Sequence, residues 1–195
     1  MGQLSRGRSI KHSDRVLLSS VTSLEPDDNH RLMMSFQYKR RRSGRRATII
    51  MLNPSAATVD MADTTVRRVE GVTHQLFRQI SEVHIFNLFT VRGKNPSELN
   101  GLLQKNGREA LIHPRADDLL RTSLKDSHLA IVAWGGPCGI QKDLYVDRLK
   151  NMHEILGLAR KVVRVSGGHY SPEAPYPLHG RLWSYRMQAF PYDMP

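Results

Sequence analysis

Ala47-Thr48-Ile49-Ile50-Met51-Leu52-Asn53-Pro54-Ser55 is a strand-forming run that stops in an Asn-Pro-Ser turn. A short apolar run bounded by turn residues reads as a buried strand. Three later runs stop in the same manner. Val83 to Leu88 ends in Phe86-Asn87-Leu88-Phe89, and His128 to Trp134 ends in Ala133-Trp134-Gly135-Gly136. Lys161 to Ser166 leads into Ser166-Gly167-Gly168-His169-Tyr170-Ser171-Pro172. In an open α/β sheet, ligands bind in the crevice outside the carboxyl ends of the strands. Four such ends therefore describe one site, built from Asn, Asn and His around glycines that leave room.

Between the strands the pattern turns helical. Val66, Val69, Val72, Leu76 and Ile80 recur every three or four residues behind Asp63, a candidate N-cap. The sequence predicts a short helix from a Ser97 cap through Leu103 and a longer one over Pro114 to Lys125. A third lies around Leu144, Leu149, Met152, Ile155 and Leu156, and a final one runs from Gly180 to Gln188. Strands alternating with helices imply a largely parallel sheet covered on both faces. The predicted fold class is α/β: a three-layer α/β/α domain around a central, mainly parallel four-stranded sheet. Leu32 to Lys39 alternates with Met34, Phe36 and Tyr38 on one face and reads as a further strand. It would join the Ala47 strand in an N-terminal hairpin with a basic tip, Lys39-Arg40-Arg41-Arg42-Ser43-Gly44-Arg45-Arg46. Residues 1–14 are aperiodic and basic and read as a loosely held arm. Residues 15–195 form one domain, with its motif-bearing core at 47–189.

Lys and Arg number 29 against 18 Asp and Glu, a formal net charge of +11. That excess favours an anionic partner through long-range attraction and counterion release. Six cations in eight residues at Lys39 to Arg46 repel one another without an anion nearby, so Arg40, Arg41, Arg42, Arg45 and Arg46 are candidate phosphate contacts. The single Cys138 excludes an intrachain disulfide framework or a cysteine-held iron–sulfur cluster. No run approaches the roughly 20 apolar residues of a membrane span, and the basic N-terminus lacks the apolar stretch of a signal peptide. The expectation is a cytoplasmic monomer with no membrane partner. No histidine pair has metal-ligand spacing beside a Cys or carboxylate, so no metal is expected, and the chain has no Gly-x-x-x-x-Gly-Lys phosphate loop.

Taken in order, the four strand ends resemble those of the uracil-DNA glycosylase superfamily, and more closely a bacterial and phage branch with a Met-Leu-Asn-Pro-Ser signature. Met51-Leu52-Asn53-Pro54-Ser55 is similar to the Asn-Pro-Gly loop of the mismatch-specific type. Ile85-Phe86-Asn87-Leu88-Phe89-Thr90-Val91-Arg92 is similar to the second motif, and Ala133-Trp134-Gly135 to the third. His169-Tyr170-Ser171-Pro172 resembles the fourth, His-Pro-Ser-Pro, with one exchange. The resemblance covers Thr48 to Gln188.

It implies a monofunctional DNA glycosylase, whose chemistry needs no cofactor. Asn53 would position the attacking water, and His169 would donate a hydrogen bond to the departing base, whose charge develops only in the transition state. Asn87 would read the edge of a flipped base, lined also by Pro54, Ser55, Trp134 and Gly135. Ser55 stands where uracil-specific enzymes carry a Tyr, which opens the pocket to 5-substituted, hydroxymethylated or glucosylated pyrimidines and to a role against phage with modified DNA. Ser171, Tyr176, Leu178, Arg181, Arg67 and Arg68 complete the candidate DNA contacts, with Tyr176 or Leu178 as the wedge beside the flipped nucleotide. His179 is a further candidate. Mismatch repair of uracil or thymine, and a non-catalytic nucleic-acid-binding module, remain open.

Overall fold

A strand covered on both faces needs apolar side chains on both, and four of the runs meet that demand. A computed structural model describes residues 10–23, 29–42, 44–55, 57–92 and 98–194. Its strands are β1 (Ile10–Lys11), β2 (Val16–Ser23), β3 (Arg31–Tyr38), β4 (Arg46–Met51), β5 (Met61–Ala62), β6 (Glu82–Asn87), β7 (Leu129–Val132), β8 (Val162–Ser166) and β9 (Gln188–Pro191). Its α-helices are α1 (Thr64–Leu76), α2 (Glu98–Asn106), α3 (Pro114–Asp126) and α4 (Lys142–Leu156), with 3₁₀ turns at Arg108–Ala110 and Gly180–Leu182. β1 and β5 pair separately, and the other seven strands form one sheet in the order β2-β3-β6-β4-β7-β8-β9. Neighbours β6, β4, β7 and β8 run parallel. β3 and β2 extend one edge antiparallel, and β9 does the same at the other. The fold is thus mixed α/β, with a parallel centre inside a wider sheet than the four strands expected.

Alternation along β4 divides the core. Ile49 and Met51 pack with Val66, Val69 and Val72 of α1. Ile50 and Leu52 face the other way, toward Leu120 and Leu124 of α3 and Leu144, Met152 and Ile155 of α4. Asp63 caps α1 as expected, its Oδ1 accepting from the amides of Thr65 (2.8 Å) and Val66 (2.9 Å). The chain leaves β4 for β6 on one side and reaches β7 on the other. The carboxyl end of β4 is therefore the topological switch point of the sheet.

Three expectations are corrected. β3 and β4 form no hairpin, because β6 lies between them, antiparallel to β3 and parallel to β4. The basic turn is a crossover whose Arg41 is committed to the end of α1. Its Nη1 donates to the carbonyls of Phe77 and Ile80 (both 2.9 Å), its Nη2 donates to that of His74, and its guanidinium stacks on Tyr38. Such bonds satisfy carbonyls that a helix leaves open at its C-terminus. The final helix is only the turn Gly180–Leu182, and Gln188 opens β9 on the edge of β8. Residues 10–14 are no loose arm. β1 pairs with β5, His12 Nδ1 pairs with the buried carboxylate of Glu70 (2.5 Å), and the Ser13 amide donates to it (2.8 Å). Residues 1–9, Ser43 and the Ser97 cap lie outside the described residues. Among the described residues, no helix is long and apolar enough to cross a membrane.

Candidate functional site

The parallel ladder carries two of the expected residues to the switch point. Met51 and Asn87 are register partners, and beyond them the Leu88 amide donates to the Met51 carbonyl (2.8 Å) and the Phe89 amide to that of Leu52 (3.0 Å). Asn53, half-buried, follows directly, with Ser55 beyond it. The end of β6 is clamped from the other face by Arg148, whose Nε donates to the Leu88 carbonyl (2.6 Å). The Nη atoms of Arg148 grip both carboxylate oxygens of Asp117 (2.8 and 2.6 Å). A planar fork held at both carboxylate oxygens has little freedom, so Asn87 stands on a rigid base.

Of the two histidines after β8, the one packed against the strand ends is His179. The Gly180 amide donates to the Ala133 carbonyl at the end of β7 (3.3 Å), which seats the His179–Gly180 pair over β7 and β4. Two glycines make that approach possible. A Cβ on Gly180 would meet Val69 Cγ2 at 2.8 Å, and one on Gly135 would meet His179 Cβ at 3.0 Å. Gly135 also has φ +75°, a conformation other residues rarely adopt. His169 instead occupies an exposed turn held by a Gly167–Tyr170 bridge, with Gly167 and Gly168 both at positive φ.

His179 Nδ1 accepts from the Arg181 amide (3.1 Å), so in the neutral ring the proton sits on Nε2. Burial, with the neighbouring Arg181 charge, pushes its pKa down to about 4, and Asp63 pulls weakly the other way. At neutral pH the ring is an uncharged Nε2–H donor.

Arg31 is the residue that sequence reading missed. It opens β3 beside the end of β6, is fully buried, and its Nη2 donates to Asn87 Oδ1 (3.2 Å). Burial and the nearby Arg92 charge push its pKa down to about 10, against the pull of Asp63, so it stays a cation at neutral pH. Arg31 Nε and Nη1, Asn87 Nδ2 and Ser55 Oγ are all buried without a hydrogen-bond partner among the described residues. Buried unpaired polar groups are uncommon in folded proteins, and each costs about 1–3 kcal/mol, more when charged. Thr73 Oγ1, Trp134 Nε1 and Arg164 Nε are also buried without a hydrogen-bond partner among the described residues, but Arg31 and Asn87 are bonded to each other and stand beside the end of β4. The available signal was an Arg at the head of an otherwise apolar alternating strand.

Other expected residues take different places. Trp134 is fully buried on the opposite face, packed against Tyr192 and His153, and contributes to the core. The Tyr176 ring stacks edge-on with Tyr145, and its carbonyl accepts from Arg164 Nη2 (2.7 Å). Leu178 packs on the α1-side core and its carbonyl accepts from Trp183 Nε1 (3.1 Å). Neither is a free wedge. Ser171 is exposed, and its Oγ accepts from the Glu173 amide (3.1 Å). Arg181 is exposed beside His179, and its carbonyl accepts from Arg68 Nη1, while Arg67 lies one residue earlier on α1 and 3.9 Å from Glu70.

The basic turn is at the far end of the sheet. It precedes β4, whose length alone separates it from Asn53 by about 17 Å at 3.3 Å per residue. Arg46 pairs with Glu82 (2.8 Å) and Asp126 (3.6 Å). Arg40 and Arg41 line a recess of about 520 Å³ with Asp14, Arg15, Lys39 and His74, remote from the strand ends. Among the described residues, no three His, Cys, Asp or Glu side chains group to hold a metal.

A family model described as a protein of unknown function, DUF1643, matches residues 31–175, and the chain belongs to that family. No curated protein and no solved structure matches the chain.

Proposed function

We propose that this chain is a DNA glycosylase, a diverged relative of the uracil-DNA glycosylase superfamily, that excises a flipped, 5-substituted pyrimidine and leaves an abasic site. The observation that carries the reading is that Asn53, Asn87 and His179, whose neutral ring carries its proton on Nε2, all stand at the carboxyl ends of the adjacent strands β4, β6 and β7. In the reaction the C1′–N1 bond breaks and the electron pair leaves with the base, water adds to C1′, and the proton that water sheds is taken up by the departed base anion. The sugar passes through a cationic, oxocarbenium-like state. A neutral donor such as His179 suits a base that leaves with negative charge, because it strengthens its bond as that charge grows. Asn53 orients the water. Asp63, coupled electrostatically to both Arg31 and His179, supplies charge of the sign that favours the cationic sugar. A solvent-excluded setting increases each of these terms.

His179 takes the role that the sequence resemblance gave to His169. Ser55, small and at the end of β4, is compatible with a substituent on carbon 5 of the base. Activity against phage with modified DNA follows from that opening and belongs to the same proposal.

The test is incubation of the chain with plain and hypermodified genomic DNAs, with released bases identified by mass spectrometry and abasic sites by alkaline cleavage. A free modified pyrimidine with an equal yield of abasic sites is the expected result. Intact DNA throughout, or strand breaks without free base, would overturn the reading.

A further inference from the structure

The orientation of the Asn87 amide is set by a residue that never meets solvent. Arg31 has only donors, so the atom facing its Nη2 at 3.2 Å must be Oδ1, which leaves Nδ2 as the group Asn87 presents elsewhere. Nδ2 is buried and unpaired, as are Nε and Nη1 of the same arginine. The end of β6 is therefore a cluster of N–H groups without a matching acceptor among the described residues. A buried cation in that cluster raises the cost of bringing a further donor toward it. The clamp of Arg148 and the register with β4 prevent the strand end from relaxing to find acceptors elsewhere.

Resting on the glycosylase reading, we infer that Arg31 is a positioning residue that makes Asn87 a donor-only reader, and that the flipped base is of the cytosine type. The Watson–Crick edge of cytosine offers two adjacent acceptors, O2 and N3, and the N4 amino donor beside them points past the Arg31–Asn87 cluster when those two face it. Uracil and thymine interpose the N3–H donor between their carbonyls, and that donor would face Nδ2 and a buried guanidinium. An edge that fails to pair with buried polar groups is rejected far more strongly than one of wrong size. The substrate class is then a 5-substituted cytosine, with Ser55 beside the substituent and the Arg31–Asn87 pair on the ring edge. Asn87 Nδ2 is sealed from solvent, so a base that reaches it displaces the side chains over the strand ends.

The test is equilibrium binding of the full chain to three duplexes. Two carry a 2′-fluoroarabino nucleotide, which resists glycosidic cleavage, bearing either 5-hydroxymethylcytosine or 5-hydroxymethyluracil. The third is unmodified. Because the two bases share their substituent, only the edge differs. Wild type is expected to bind the cytosine duplex at least about tenfold more tightly than the uracil one. Arg31→Met, which removes the cation and frees the amide to turn, should bring that ratio near one, and Arg31→Lys should restore part of it. Asn87→Asp, an acceptor-only side chain paired to Arg31, should reverse the preference, and it decides the matter if Arg31→Met fails to fold by circular dichroism. Equal affinity of wild type for both modified duplexes, each above the unmodified one, would overturn this inference and leave the glycosylase reading standing. An undiminished cytosine preference in Arg31→Met would also overturn it. No preference of wild type for either modified duplex over the unmodified one would overturn the glycosylase reading itself.

Discussion

Replacing His179 with Asn isolates the protonation chemistry of the site from its architecture. Asn keeps a side-chain acceptor for the Arg181 amide, so the cap of the 3₁₀ turn survives, while Nε2 and its titration disappear. In the folded chain the imidazole is held at about 4, against its ordinary 6.5. The unfolded chain therefore binds more protons between those values, and stability rises with pH across the window. Stability from His179 is complete above about pH 6.5 and is lost as pH falls toward 4. At 1.36 kcal/mol per decade the full loss is about 3 kcal/mol, of which about 2 is gone by pH 5. The assay is urea unfolding followed by tryptophan fluorescence, since Trp134 and Trp183 are both buried. The other histidines titrate alike in both proteins, so the difference between wild type and His179→Asn reports this ring alone. Wild type should lose about 2 kcal/mol more than the variant between pH 7.5 and pH 5. Parallel curves would refute a buried neutral imidazole, and with it the proposed donor.

Base release should fall by about 2–4 kcal/mol of transition-state stabilisation in His179→Asn, the scale of one preorganised donor, while His169→Ala stays within threefold of wild type in single-turnover assays. The opposite ranking would return the role to the exposed histidine. Arg41→Met should lower stability by about 1–3 kcal/mol in urea titrations, because the His74 and Ile80 carbonyls at and beyond the end of α1 lose this donor, while that of Phe77 keeps the Ile80 amide. Charge reversal at Arg68 and Arg181 should reduce the slope of log K against log salt for DNA binding by about one for each phosphate no longer neutralised, whereas reversal at Arg40 and Arg42 should leave it unchanged. A slope that responds only to the second pair would place the duplex at the other end of the sheet. Ser55→Tyr should remove activity on 5-substituted pyrimidines while sparing any activity on the unsubstituted base, and equal loss on both would exclude Ser55 from the pocket.

The strands and helices around the site were legible because burial on both faces leaves a continuous apolar signature. β4, β6, β7 and β8 and helices α1, α3 and α4 fall within a few residues of the expected spans. The misses share a physical cause. β2, Val16–Ser23, includes three Ser and one Thr, and β9 is a short segment on the sheet edge, so neither carries a strong period. The supposed hairpin failed because sequence proximity suggested pairing, while the partner of both strands, β6, lies over thirty residues further on. His169 and His179 follow the same strand and look equivalent in one dimension. The path of the intervening chain, with Pro172, Pro175 and Pro177, decides which one returns over β7, and that path has no local code. Arg31 could be noticed at the head of its strand but not given a role, since its meaning comes from a contact with Asn87, 56 residues away.

The basic excess is where composition most invites a wrong spatial reading. A count of 29 cations against 18 anions says nothing of where they point. In this fold several arginines hold main-chain carbonyls at the ends of elements. Arg41 serves α1, Arg148 serves the turn after β6, and Arg164 serves Tyr176. Arg is suited to that work because its planar fork can meet two or three acceptors at once and stays charged when partly buried. Each such residue adds to the net charge and draws anions at long range, yet its donors are already engaged when an anion arrives. Phosphates flanking a flipped nucleotide must be met close to the pocket. The cations that qualify by position are those beside His179 and on the first turns of α1, not the run at Lys39 to Arg46. Steering and grip are thus separate properties of this surface, one set by the whole charge and the other by the few groups that stand at the carboxyl ends of the parallel strands.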